Sequence, residues 1–120
     1  METRKINYFS RQILKRRNRV LAKLISLEQD LDCLQHHQPK DWAEVNNDTL
    51  ERETIMQKID TERENLREIN SALRKMIDGS YGACACCGTR IPEARLRALP
   101  LANLCIKCKV EEERWAKQVG

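Results

Sequence analysis

Aromatic residues are scarce in this chain of 120 residues: Tyr8, Phe9, Trp42, Tyr81 and Trp115 are the whole set. With 33% of the residues charged, too little bulky apolar material remains for a thick globular core, so long amphipathic helices and a bound metal are expected to supply order instead. No apolar run approaches the roughly 18 residues that span a bilayer. The opening M-E-T-R-K-I-N-Y-F-S has no apolar h-region of a secretory signal. A cytoplasmic protein is expected. There thiols stay reduced, and six cysteines point to metal more than to disulfides.

Acidic residues are also missing from one end. Residues 1–24 carry Arg4, Lys5, Arg11, Lys15, Arg16, Arg17, Arg19 and Lys23 against Glu2 alone, whereas residues 28–64 hold eleven acids and four bases. A polarity of this kind along the chain suggests a charged partner.

The apolar residues that are present recur at helical spacing. Ile6, Phe9, Ile13, Val20, Leu24, Leu27, Leu31 and Leu34 form a heptad seam, which Gln38-Pro39-Lys40-Asp41 ends, because proline lacks a backbone donor. A second seam runs through Leu50, Ile55, Ile59, Leu66, Ile69, Leu73 and Met76, with Asp48 and Glu51 spaced as a capping box at its start and Gly79 placed to end it. The expected fold is mostly α. Residues 1–78 are expected to form an antiparallel coiled-coil hairpin with its tip at about 37–47, and residues 79–120, where Cys84 and Cys87 and then Cys105 and Cys108 pair at C-x-x-C spacing, a small C4 zinc-finger lobe with a C-terminal helix.

Each seam has one flaw, Arg17 in the first and Glu62 in the second. A hairpin closed at that tip sets them face to face, so an ion pair across the seam is expected, with snorkelling to solvent as the alternative.

Cys84 and Cys87 make one C-x-x-C, Cys105 and Cys108 another, with seventeen residues between. This is the spacing of a tetrahedral zinc site, and four thiolates leave no open position, so one structural Zn²⁺ is expected and no catalytic metal. Cys86 has no partner at that spacing and reads as a spectator thiol, or a redox-sensitive one. Cys33 reads as a small packing residue. Arg90, Arg95, Arg97, Lys107 and Lys109 are placed to offset the charge of the cluster, and Val110 and Trp115 are expected to lie against the base of the hairpin. His36 and His37 suit the end of the first helix better than a metal. No nucleophile, base and oxyanion site converge, so no enzyme is expected.

The run G-S-Y-G-A-C-A-C-C-G-T-R-I-P-E-A-R-L-R-A-L-P-L-A-N-L-C-I-K-C resembles the zinc-finger signature of the DksA/TraR family of bacterial transcription regulators. Tyr81, Gly82, Cys84, Cys87, Gly88, Ile91, Arg95, Leu96, Pro100, Cys105 and Cys108 carry the likeness. The resemblance implies a short DksA-like member that binds RNA polymerase directly, makes no sequence-specific contact with DNA, and pushes its coiled-coil tip into the secondary channel. In the tip sequence D-W-A-E-V-N-N, Asp41 and Glu44 take the places of the family's D-x-x-D-x-A acids, with Asn46 at the alanine. Trp42 between them either meets the partner or caps the coiled coil against Leu34 or Val45. Lys109 matches a basic position for the alarmone ppGpp, but Glu68 and Leu99 stand where the family has basic residues, and Glu68 repels an anion.

A monomer is expected. The alternatives are a zinc-dependent nucleic-acid-binding module and a coiled-coil interaction protein, for instance a dimer. The basic stretch R-Q-I-L-K-R-R-N-R has the charge of a nucleic-acid footprint, but because its charges are interleaved with the apolar seam of one helix it reads rather as a solvated outer face or a contact for an acidic patch on polymerase.

Overall fold

Two long runs free of internal proline and glycine, each with apolar residues three and four apart, fold as two long helices in a computed structural model that describes residues 1–119. They are α1 (Thr3–Gln35) and α2 (Trp42–Asp78), followed by a short α3 (Glu93–Ala98) and by α4 (Ile106–Val119). The extended structure among the described residues is one isolated antiparallel bridge, Ala83 to Arg90. Gly120, the last residue of the expected zinc lobe, lies outside the described residues. The fold is mostly α, with a helical hairpin and a small cysteine-bearing lobe.

The chain divides into two compact units, Lys15–Glu68 on the one hand and Met1–Leu14 with Ile69–Gly120 on the other. In Lys15–Glu68 the two seams meet: Leu24, Ile55 and Ile59 are buried, with Val20, Leu27, Leu31, Leu34 and Leu66 packed around them. Leu50 departs from the expected seam and is exposed. Counting back from Ile55 by seven reaches Asp48, so the seam goes polar toward the tip and Leu50 falls on another face.

Register differs from expectation by six positions. Glu62, its side chain only 13% exposed, faces Lys23 at 3.6 Å and not Arg17, which is exposed. Asn65 Nδ2 lies 3.5 Å from its other oxygen. The reason is at the tip: His37 meets Asp48, so the first turns of α2 run on past the end of α1 and shift every facing pair. A carboxylate in a seam loses hydration that a distant, exposed lysine restores only in part. Glu62→Leu should therefore raise stability by about 1 kcal/mol, read as a higher midpoint in thermal melts followed by helical circular dichroism.

The other unit has its own core. Phe9 and Ile13 from α1, Ile69 and Ala72 from α2, and Tyr81, Ile91 and Leu96 from the lobe are all buried. Phe9 stacks tilted on Tyr81 at 5.7 Å between ring centroids. The Tyr81 hydroxyl donates to the Pro100 carbonyl at 2.8 Å, and burial pushes its pKa up to about 12. Around this core, Lys5 and Arg97 both pair with Glu93, at 3.0 and 3.1 Å, and the Arg97 guanidinium sits 5.3 Å over the Tyr8 ring.

Helix α2 stops where glycine allows it. Gly79 takes a φ of 82°, and the amides of Ser80 and Tyr81 donate to the Lys75 carbonyl at 2.9 and 3.1 Å, a Schellman-type end. Gly82 also has positive φ, 87°, and a Cβ there would lie 2.8 Å from Met1 Cε and 3.4 Å from Leu96 Cδ1. Any side chain at this position strains the backbone and crowds the core.

Candidate metal centre and hairpin tip

A tight turn carries the first cysteine pair. Ile91 N–H donates to Gly82 O at 2.7 Å and Cys84 N–H to Thr89 O at 2.8 Å, framing the Ala83–Arg90 bridge, while Gly88 N–H returns to Cys84 O at 2.9 Å. Gly88 needs its φ of 76° to close this turn. The second pair arrives at the start of α4, where Lys109 N–H donates to Cys105 O at 2.9 Å. Two bonds hold the segments together: Ala85 N–H to Asn103 O at 2.8 Å and Arg95 Nε–H to Leu104 O at 3.2 Å.

These ties bring the sulfurs of Cys84, Cys87, Cys105 and Cys108 within 4.8 Å of one another. Cys87 and Cys105 are 3.7 Å apart, close to the edge of about 3.8 Å that a tetrahedron of Zn–S bonds of about 2.3 Å requires. The electrostatics are tuned for thiolates at one side. Backbone N–H groups of Cys87 and Cys105 hold Cys84 down to about 6, and the hydroxyl and then the amide of Thr89, the hydroxyl 3.2 Å from Cys87 Sγ, lower Cys87. Cys108, crowded first by the sulfur of Cys105 and then by that of Cys84, is pushed up. Four sulfurs so close cannot all ionise without a cation among them, which is the chemistry a divalent metal supplies. Thr89 was not singled out from the sequence; its hydroxyl acts as an outer-shell partner that orients and tunes a ligand sulfur.

The remaining cysteines stand apart. Cys86 is exposed beside the cluster, and Cys33 is exposed and so is no packing residue. On an amphipathic helix its position lies off the seam. Val110 and Trp115 are exposed as well, 42% and 69%, and do not pack as expected. Ile106 and Val110 lie one turn apart on the same face of α4, whereas Trp115 falls about 140° around the helix from Val110, so no continuous apolar stripe forms.

At the hairpin tip, α2 begins six residues before the expected Asp48. Asp41 is its cap: Asp41 Oδ1 accepts from the Glu44 amide at 2.9 Å, and Glu44 Oε2 accepts from the Lys40 amide at 2.8 Å. Together these bonds do the work of a capping box in place of Asp48 and Glu51, with the return bond landing on the amide just before the cap. Trp42 is 76% exposed, so it is not buried as a cap on the coiled coil.

His36 donates from Nδ1 to the Asp32 carbonyl at 2.8 Å, satisfying an end of α1 as expected. His37 does something the sequence did not reveal: its Nδ1 lies 2.7 Å from Asp48 Oδ2, clasping the two helices together. The hydrogen bond to Asp48 and then its charge raise the His37 pKa above the ordinary 6.5. Because the folded value is the higher one, the clasp contributes fully below about pH 6.5 and is lost as pH rises through the raised value. An NMR titration should find the His37 imidazole titrating above 6.5, with Asp48→Asn returning it to the ordinary range.

Comparison with known proteins agrees with this geometry. Residues 79–114 match the model of the prokaryotic dksA/traR C4-type zinc finger. An uncharacterized protein of Aquifex aeolicus is 34% identical over 105 residues, 86% of this chain and 72% of that protein. The RNA polymerase-binding transcription factor DksA of Haemophilus influenzae is 43% identical over 61 residues, 51% of this chain, and that of Escherichia coli 42% over the same length. The matched segment covers 42% and 40% of those two proteins, less than half of each. Among solved structures, transcription factor DksA2 of Pseudomonas aeruginosa superposes with a TM-score of 0.88 at 26% identity, covering 98% of this chain and 89% of its own. A regulator from Chlamydia trachomatis, at 23% identity and a TM-score of 0.56, speaks for the fold alone. No described helix is long and apolar enough to cross a membrane. The chain belongs to the DksA/TraR proteins, as a DksA-like member with a C4-type finger and one structural zinc ion.

Proposed function

We propose that the chain is a transcription regulator that binds bacterial RNA polymerase as a monomer and inserts its hairpin tip into the secondary channel. The observation that carries this reading is the likeness to DksA2 over 98% of the chain, supported by relatives whose names state polymerase binding. Cys84, Cys87, Cys105 and Cys108 are the zinc ligands in this reading. Function divides between a hairpin, residues 1–78, that reaches, and a lobe, residues 79–120, that zinc stiffens.

Asp41, Trp42 and Glu44 are the working residues of the tip. Asp41 and Glu44 each commit one oxygen to the backbone at the start of α2, so their carboxylates are held in place before any partner arrives. Preorganised charge does not pay an ordering cost on binding. The extra methylene of Glu44, where the family pattern has aspartate, is what lets it reach back to the Lys40 amide. Trp42 stands exposed next to them, as an aromatic anchor that a pocket on the partner would bury.

The test is a pull-down and a promoter-complex assay with core polymerase. Wild-type chain should bind, and the double change Asp41→Asn with Glu44→Gln should keep most of the binding but lose the effect on promoter complexes. Failure of the wild type to bind would remove the reading.

A further inference from the structure

The four clustered cysteines are poorly shielded by their own lobe. Cys84 is buried, but Cys87 is exposed and Cys105 and Cys108 are half-buried, so burial alone does not keep water and competing ligands away. The two pairs stay in place because the segments leading into them are packed. Both segments are braced from the start of α1.

One brace reaches the turn that carries Cys84 and Cys87. Phe9, fully buried, lies against Tyr81 at 5.7 Å between ring centroids, and Met1 Cε sits where a Cβ on Gly82 would press. Gly82 is two residues before Cys84. Its carbonyl accepts the Ile91 amide at 2.7 Å, the rung beside the one between the Cys84 amide and the Thr89 carbonyl.

The other brace reaches Cys105 and Cys108 through α3. That helix has six residues and no side chain capping its start, too short to keep a position unless its neighbours fix it. From α1, Lys5 Nζ lies 3.0 Å from Glu93 Oε2, and the Tyr8 ring lies under the Arg97 guanidinium at 5.3 Å. The hydrogen bonds from Lys5 and then Arg97 hold the Glu93 carboxyl below its ordinary range. Between these two contacts Arg95 donates from Nε to the Leu104 carbonyl at 3.2 Å, and Leu104 immediately precedes Cys105. A shift of the first turns of α1 therefore loosens both cysteine pairs at once.

We propose that the start of α1 sets how long the zinc ion is retained, with Phe9 and Lys5 as positioning residues that are not themselves ligands. The proposal rests on Cys84, Cys87, Cys105 and Cys108 being the ligands and does not depend on polymerase. Coupling of this kind is reciprocal, so emptying the cluster also loosens the start of α1.

The experiment follows zinc transfer from the full, zinc-loaded chain to an excess of the colorimetric chelator pyridylazoresorcinol at neutral pH without denaturant. Phe9→Ala should release zinc at least about tenfold faster than the wild type, the size of effect that loss of an outer-shell support has on a metal site. Phe9→Leu, which keeps a large apolar side chain, should restore most of the retention. Lys5→Gln breaks a half-exposed pair and should speed release about two- to fivefold. Leu24→Ala opens a cavity in the separate core of Lys15–Glu68 and should release zinc at the wild-type rate, although it destabilises the hairpin. Circular dichroism and zinc stoichiometry confirm that each variant starts folded and loaded. In the wild type alone, stripping zinc should speed amide hydrogen exchange at residues 9–13 and leave residues 24–31 unchanged. A wild type that loads one zinc, with Phe9→Ala and Lys5→Gln releasing it no faster, overturns the proposal alone. Equal acceleration by Leu24→Ala, or unchanged exchange at residues 9–13 after stripping, does the same. A wild type that loads no zinc removes the ligand reading and the proposal together.

Discussion

Removal of zinc should collapse the lobe that carries the four cysteines. Ligation by four thiolates contributes on the order of 10 kcal/mol or more to folding of such a site, more than the apolar groups of the lobe, Tyr81, Ile91 and Leu96, supply by burial. A strong chelator, or Cys84→Ser, should abolish the dispersed amide NMR signals of residues 80–109. Cys84 is the severest choice because it is the buried sulfur and sits where two backbone amides converge. Cys86→Ser, one residue from a ligand but exposed and outside the cluster, should leave metal content and spectrum unchanged. Equal damage from both substitutions would mean that the ligand set is different.

The second large effect is expected far from the cysteines in sequence. Phe9 is fully buried against Tyr81, in the core that Ile13, Ile69, Ile91 and Leu96 complete. Phe9→Ala should cost about 3 to 5 kcal/mol, since a rigid surrounding core closes only in part around the cavity. Urea unfolding of the zinc-loaded protein measures it. The same experiment on Leu14→Ala, whose side chain is exposed, should give less than about 0.5 kcal/mol. The contrast matters because the sequence places Phe9 only on a coiled-coil seam. Its partner is in fact the tyrosine of the zinc-finger signature, so the start of α1 is part of the core that supports the finger.

Local patterns were readable, and distances along the chain were not. Seam spacing identified α1 and α2, and the paired C-x-x-C motifs identified the four sulfurs that the fold gathers. Asp48 and Glu51 satisfied the spacing rule for a capping box, but so did Asp41 and Glu44; the choice between them depends on where the connection at residues 36–41 lets α2 begin. That displacement moved the register, which is why Glu62 meets Lys23 and not Arg17. The His37–Asp48 clasp was hidden for the same reason, as it joins residues on two helices. Val110 and Trp115 remain exposed where packing against the base of the hairpin was expected, and Trp42 is exposed, as its partner-contact reading requires and its capping reading does not. Each lacks an opposing apolar surface, which no one-dimensional pattern can report.

The capping arrangement also gives physical content to the tip's departures from the family pattern. Glu44→Asp would restore the family residue but shorten the reach to the Lys40 amide, loosening the first turn of α2. The acid that best matches the pattern is therefore not the one that best fits this helix start.

The most direct test of the account is where the tip goes. A photoreactive amino acid in place of Trp42, in the zinc-loaded chain mixed with core RNA polymerase, should crosslink to segments lining the secondary channel, and an excess of unmodified chain should suppress the product. Crosslinks confined to the outer surface of polymerase, or binding with no crosslink from position 42, would contradict it.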